Sequence, residues 1–199
     1  MHPANVRTGL FYDWAGALYF LVEPWLRTGR KRLVTRVNAE QPGRVLEVGV
    51  GTGGHLPLYR DHQVTGIDVS PRMLQRARKA AEGSGATLAL MDGEQLAFAD
   101  GSFDAVVLCH VLSVTESPER MLAEAWRVLR AGGKVYISDH ETPAHAGRHL
   151  DRLTSLPARL LRLRTWFRLA EIPGWGRFQM LHQEQSGLGG WSKLVVLGK

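Results

Sequence analysis

Between about Arg44 and Asp139, five short apolar runs alternate with stretches of helical spacing, and that alternation constrains the fold most. The runs are RVLEVGV, QVTGIDV, ATLALM, FDAVVLCH and KVYISDH, each rich in Val, Ile and Leu. Such runs read as strands buried on both faces, the mark of a parallel sheet. Parallel neighbours need right-handed crossovers, so the intervening helices must cover the sheet on both sides. SPRMLQRARKAAEG supplies one helix, with Ser70 as its cap, Pro71 in its first turn and a glycine closing it. SPERMLAEAWRVLRAGG repeats that grammar, with Ser117, Pro118 and Gly132 in the same roles. The closing WSKLVVLGK reads as one more strand. A chain of 199 residues suits a single domain with a full hydrophobic core.

The first run breaks into four glycines within six positions, at Gly49, Gly51, Gly53 and Gly54. In an open parallel sheet, ligands bind beyond the carboxyl ends of the strands, where the strand order reverses. Glycines there allow tight turning and close backbone approach, and the next helix offers free N–H groups. Gly49, Gly51 and Gly54 spell the dinucleotide fingerprint G-x-G-x-x-G, but the nearby acids point to a different ligand. Glu47 precedes the first glycine by two residues, where a pyrophosphate would be repelled. Asp68 ends the second run, 17 residues beyond Gly51, placed to accept both hydroxyls of a ribose. Asp92 follows the third run, placed to accept from an adenine amino group. Acids after three successive strands describe a nucleoside with a cationic tail and no phosphate. S-adenosylmethionine, which carries a sulfonium and an ammonium, has that shape.

Two basic segments flank this core. Residues 27 to 36 carry five arginines and lysines with no acid, and residues 148 to 170 carry six arginines against Asp151. The chain's net charge is +6, so the remainder is mildly acidic. The pattern suggests an anionic surface or substrate, or else helix faces solvated by arginine. Phe11, Trp14, Leu18, Leu21, Val22 and Trp25 recur at helical spacing, and so do Leu153, Leu156, Leu160, Leu163 and Phe167. Asp13 interrupts the apolar N-terminal stretch, which is too short for a membrane span. The single cysteine, Cys109, excludes an internal disulfide. These features lead us to expect a cytoplasmic protein with no metal site, peripheral at the inner face of the membrane.

EVGVGTG, GIDVS-x-x-ML, MDGEQLAFADGSFDAVV and VLRAGGKVYISD, in that order, resemble the successive motifs of the class I S-adenosylmethionine-dependent methyltransferases. The resemblance covers roughly residues 44 to 140. It implies a Rossmann-like α/β fold with a mostly parallel seven-stranded sheet, an antiparallel last strand and extra N-terminal helices. The whole chain, 1–199, would then be one methyltransferase domain. Residues 1–40 would form a lid or membrane-contact segment, 44–140 the cofactor-binding core, and 141–199 an acceptor-side helix with the terminal strands. The cofactor implied is S-adenosyl-L-methionine. Its implied contacts are Glu47 near the methionine end, Gly49, Gly51 and Gly53 beneath it, and Asp68 and Val69 at the ribose. Met73, Asp92 and Gly93 would meet the adenine, Cys109 and His110 would lie beside the methyl group, and Tyr12 would reach in from the N-terminal segment.

VLEVGVGTGGHLPLY further resembles the soluble bacterial phosphatidylethanolamine N-methyltransferases, as do the SDHETPAHAGRHLDRLTSLPARLLRLRTWFRL stretch and the aromatic N-terminus. Under that resemblance His140, His110 and Tyr19 are the candidate catalytic residues. Tyr12, Trp14, Tyr19, His140, Arg148 and Arg152 would hold the acceptor, the aromatics by cation–π contact and the arginines at the lipid phosphate. A quinone-like or other small apolar acceptor stays open as an alternative, because the related quinone C-methyltransferases share the helix and the histidine. A non-catalytic nucleic-acid or membrane-binding protein that keeps the fold is the third reading. The basic segments lack the recognised motif of a nucleic-acid module.

Overall fold

The computed structural model describes residues 29–140, 167–186 and 192–199. Strands β1 (Arg44–Val48), β2 (Gln63–Asp68), β3 (Thr87–Leu90), β4 (Phe103–Cys109), β5 (Leu129–His140), β6 (Gln179–Ser186) and β7 (Ser192–Gly198) form one sheet. Its order is β3-β2-β1-β4-β5-β7-β6. Neighbours from β3 across to β5 run parallel, whereas β7 is antiparallel to both β5 and β6. The chain lays β2 and β3 on one side of β1, then returns to place β4 on the other. The reversal falls between β1 and β4, where such a sheet opens a crevice.

Two apolar layers sandwich the sheet. Leu46, Val48, Val106, Leu108 and Ile137 belong to one layer, with Met121, Leu122 and Ala125 of helix α3 (Pro118–Val128). Val45, Val107, Tyr136 and Val196 belong to the other, with Leu33 and Val37 of helix α1 (residues 29–37) and Ala81 of helix α2 (Pro71–Ser84). Alternate residues of β1 and β4 thus serve opposite layers, as the two-residue period of a strand requires.

Ser70 caps α2 as expected, its hydroxyl accepting from the Met73 N–H at 3.0 Å. The expected stop at Gly83 is corrected: the helix runs through it to Ser84, and Gly85, in a left-handed conformation, ends it. The matching expectations for α3 are corrected. Ser117 makes no side-chain cap, and the Glu94 carboxylate takes the Ser117 N–H at 2.7 Å instead. The helix stops at Val128, and Leu129 is already extended and paired with Phe103, so Gly132 turns within β5 instead of closing a helix. Strand β6 was not read from the sequence. It is an edge strand, with Met180 and Leu181 over 40 % exposed, and lacks the buried Val/Ile pattern of the inner strands; β3, at the opposite edge, has no buried residue either, which corrects the expected burial of the ATLALM run.

The basic segment over α1 divides between two roles. Arg30 is buried and Arg36 pairs with Glu184 at 2.8 Å, while Lys31 and Arg32 are exposed. No helix among the described residues is long and apolar enough to cross a membrane.

Candidate functional site

The loop after β1 begins by prolonging the β1–β2 ladder, the N–H groups of Gly49 and Val50 both donating to the Ile67 carbonyl. Gly49, Gly51 and Gly53 then take positive φ values of 73°, 56° and 77°. The three do different work. A Cβ on Gly53 would lie 3.0 Å from the Ala77 Cβ, so this glycine lets the loop pack on α2. A Cβ on Gly51 would meet nothing nearer than 4.0 Å, and this residue borders open space.

That space is a cleft across the carboxyl ends of β1, β2 and β4. Gly49, Gly51, Asp68, Val69, Met73, Asp92, Gly93, Cys109 and His110 line it, as expected of a cofactor site. Met91, Val111, Val114, Thr115 and Met121 complete the wall, and none of these was singled out from the sequence. They supply apolar surface to a cleft that also carries the carboxylates of Asp68 and Asp92. Gly53 is not part of the lining, because its role is the packing just described.

Asp68 accepts from the Gly51 N–H and the Ser70 N–H, each at 2.9 Å, and so ties the loop to the start of α2. Each carboxylate oxygen accepts more than one bond, so Asp68 retains capacity for hydroxyl donors. Asp92 is buried and accepts from the Glu94 N–H at 3.0 Å. Adjacent Gly93 is hemmed in, since a Cβ there would lie 2.5 Å from Val48 Cγ1. Glu94 also takes the Thr115 hydroxyl at 2.7 Å, so the β3 loop, the wall after β4 and the start of α3 are bound together.

Glu47 stands elsewhere than expected. It is fully buried on the α1 side of the sheet, outside the cleft lining. One oxygen meets His55 Nδ1 at 2.5 Å and the other accepts from the Tyr59 hydroxyl at 2.9 Å. Burial opposes charge on His55, but the Glu47 carboxylate overrides it and holds the imidazole up to about 10. Any influence of Glu47 on a ligand therefore runs through the loop above it. The phosphate-repelling role inferred for this acid is replaced by an internal ion pair. His55 and Tyr59 carry that pairing within the quoted GHLPLY stretch, but only the fold reveals their convergence.

A second polar group lies at the carboxyl ends of β4 and β5. His110 adopts a left-handed φ of 53°, a conformation rare outside glycine, and its N–H donates to the Ser138 carbonyl at 2.7 Å. Burial chiefly pushes its imidazole down to about 4, with Arg30, His140 and His55 adding to the effect against the pull of Asp139. His110 is therefore neutral near pH 7. Asp139, fully buried at the end of β5, accepts from the His140 N–H at 2.8 Å and the Ser113 N–H at 3.1 Å. Burial works to raise the Asp139 carboxyl, but those donors and the neighbouring histidines hold it below its ordinary value. Its Oδ1 lies 3.3 Å from His140 Nδ1. Asp139 and Arg30 were missed in the sequence; Asp139 lies one residue from a named histidine, and Arg30 sits in a run read only as charge. Tyr12, Trp14, Tyr19, Arg148 and Arg152 lie outside the described residues. Among the described residues no group of side chains is arranged to hold a metal.

A methyltransferase-domain family model matches residues 46–137, the span from β1 to β5. Over 116 residues the chain is 49% identical to the phosphatidylethanolamine N-methyltransferase of Cereibacter sphaeroides, covering 56% of this chain and 57% of that protein. Over 119 residues it is 35% identical to a ubiquinone/menaquinone biosynthesis C-methyltransferase of Desulfotalea psychrophila, covering 58% of this chain and 48% of the other. The chain thus spans about half the length of the curated relatives it matches. Among solved structures it resembles an S-adenosylmethionine-dependent methyltransferase of Thermotoga maritima, described as a possible histamine N-methyltransferase. The TM-score is 0.71 at 23% identity, over 94% of this chain and 98% of the other. It also resembles the [4+2]-cyclase SpnF, with a TM-score of 0.75 at 21% identity over 98% and 96% of the two chains. These two likenesses show the fold, which hosts more than one chemistry. Residues 46–137 thus match a methyltransferase domain, on a fold shared with S-adenosylmethionine-dependent methyltransferases, and the glycine loop and acid-flanked cleft of that span agree with it.

Proposed function

We propose that the protein transfers methyl groups from S-adenosylmethionine to the amine of phosphatidylethanolamine at a membrane surface. The observation that carries this reading is the Asp139–His140 pair beside neutral His110 at the edge of the cleft. An ammonium has no lone pair, so an amine acceptor must give up a proton before it attacks, and the pair supplies a place for that proton. The identity with a phosphatidylethanolamine N-methyltransferase supports the choice of acceptor.

The cofactor, when bound, offers a methyl group on a sulfonium whose departure leaves a neutral thioether. Asp68 holds the ribose hydroxyls while its existing bonds keep the glycine loop and α2 in register. Asp92 and the Gly93 backbone meet the adenine edge, and Met73 packs on the ring. Asp139 on Nδ1 of His140 favours the tautomer with Nδ1 protonated, which leaves Nε2 as proton acceptor. His110 is uncharged near pH 7 and adds no like charge to repel the acceptor ammonium. Tyr12, Trp14 and Tyr19 hold the cationic headgroup and Arg148 and Arg152 the phosphate, whereas residues 29–37, expected within a lid or membrane-contact segment, are instead a core helix on the sheet. Much of the catalysis is positioning, since the displacement needs no acid.

The test is methyl transfer from labelled S-adenosylmethionine to phosphatidylethanolamine liposomes, with and without anionic lipid. Label in the lipid, increasing with anionic content, is the expected result. Cofactor binding without lipid labelling overturns the acceptor. The second reading, methylation of a quinone-like carbon, draws on the identity with a quinone C-methyltransferase and predicts label in a demethylquinone instead.

A further inference from the structure

We propose that His55 is a positioning residue for the cofactor: clamped to Glu47, with Tyr59 beside it, it closes the base of the glycine loop and holds that loop in the shape S-adenosylmethionine requires. The proposal rests on the cofactor reading and is independent of the acceptor.

The loop has little side-chain substance of its own. Gly49, Gly51, Gly53 and Gly54 bring none, and the first three take positive φ. Backbone bonds secure its start, from Gly49 and Val50 to Ile67, and its crest, from Gly51 to Asp68. Its far end runs into a single 3-10 turn, Leu56–Leu58, and such short turns owe their shape to what they pack against. Leu56 is fully buried and Asn38 holds the Leu58 carbonyl at 2.8 Å, but the bonds that reach back to β1 come from the residues flanking the turn. Glu47 of β1 meets His55 Nδ1 at 2.5 Å through one oxygen and accepts from the Tyr59 hydroxyl at 2.9 Å through the other. Both sides of the turn therefore return to one carboxylate, and residues 48–54 form a closed excursion from a fixed base.

Burial makes the clamp matter. Glu47 is 0 % and His55 6 % exposed, so neither can exchange its partner for water in place. Removing one partner leaves the other buried and uncompensated, a strongly unfavourable state. It is relieved when the turn swings towards solvent, and the Leu56 N–H, bonded to the Gly53 carbonyl at 3.0 Å, carries the loop with it. His55 and Tyr59 do not line the cleft, so their effect on a ligand passes through the loop. A ligand that needs the closed loop then loses apparent affinity in proportion to the fraction of molecules that keep it.

The experiment titrates S-adenosylmethionine into the full chain by calorimetry, at a temperature where melting curves show each variant folded. His55→Gln should weaken the cofactor about tenfold, a closed-loop fraction near one tenth, and Tyr59→Phe about threefold. Glu47→Gln combined with His55→Gln should weaken it no further than the more damaging single change, because the two act as a unit. Hydrogen exchange over residues 49–58 should rise in cofactor-free His55→Gln and return towards the wild-type rate at saturating cofactor. Val107→Ala, a core change in β4 that also lowers the melting temperature, should bind as the wild type does. Wild-type affinity in His55→Gln overturns the proposal while leaving the cofactor reading intact, whereas a wild-type chain that fails to bind overturns both. Losses that multiply in the double variant, or an equal loss in Val107→Ala, also overturn it. Should His55→Gln not fold, Tyr59→Phe decides by the same titration, since it removes one hydroxyl and keeps the ring.

Discussion

At the scale of single residues, the site separates holding from chemistry. Asp68 joins loop and helix through two backbone donors and is proposed to hold the ribose, so its removal should be felt in binding. Asp68→Ala should weaken S-adenosylmethionine by about 3 kcal/mol or more, roughly the value of hydrogen bonds to a charged group. Calorimetry checks this, and an unchanged affinity refutes the ribose role. His140 and Asp139 stand apart from the lining and should behave oppositely. His140→Gln and Asp139→Asn should lower turnover by about a hundredfold, the range of a lost general base, with cofactor affinity nearly unchanged. A fully active His140→Gln enzyme removes that residue from the mechanism. Gly53 belongs to neither group. Gly53→Ala should destabilise the protein by about 1–3 kcal/mol through strained backbone and contact with Ala77, seen as a lower melting temperature.

At the scale of elements, the most consequential tie is between α3 and the segment after β3. Arg127 on α3 donates to the carbonyls of Phe98 and Leu96 and to the carboxylates of Asp100 and Glu124, all between 2.7 and 2.9 Å. Glu124 in turn accepts the Leu96 N–H at 2.7 Å. One side chain thereby fastens the segment that begins with Asp92 and Gly93. Arg127→Ala should cost about 2–4 kcal/mol, as two strands of charged hydrogen bonding are lost and backbone carbonyls are left bare. Hydrogen exchange should rise over residues 92–100 before it rises in the sheet, and uniform protection there would refute the tie. None of this long-range bonding was legible beforehand. The inner strands were, because buried strands announce themselves by composition, and β3 was read from its short apolar run although it lies exposed at the other edge. Strand β6 was not, because an edge strand with a polar face leaves no such trace. The acids at Asp68 and Asp92 were found by position after a strand, a local relation. Glu47 occupies the same kind of position, but its partners His55 and Tyr59 depend on how the following turn folds back.

At the scale of the whole molecule, two histidines with opposite displacements, His55 buried and His110 partly buried, shape the response to pH. His55 is held up to about 10 in the folded state, against an ordinary value of 6.5. Its contribution to stability is complete below 6.5 and is lost as pH rises through about 10. His110 is pushed down to about 4, so between pH 6.5 and 4 the unfolded chain binds a proton that the folded one refuses. Stability therefore falls as pH drops through that window. The lowered carboxyl of Asp139 adds a loss in the same direction at still lower pH. Together these slopes place the maximum of stability near neutral pH, well below the chain's isoelectric point of about 9.9. Chemical denaturation from pH 4 to 10 should show a dome. His110→Gln should flatten its acidic flank and His55→Gln its alkaline flank, each leaving the other flank in place. The separation follows because burial is the chief cause at His110, and His55 acts on it less than Asp139, Arg30 and His140 do. If both variants altered the same flank, the charge states assigned to the two sites would be wrong.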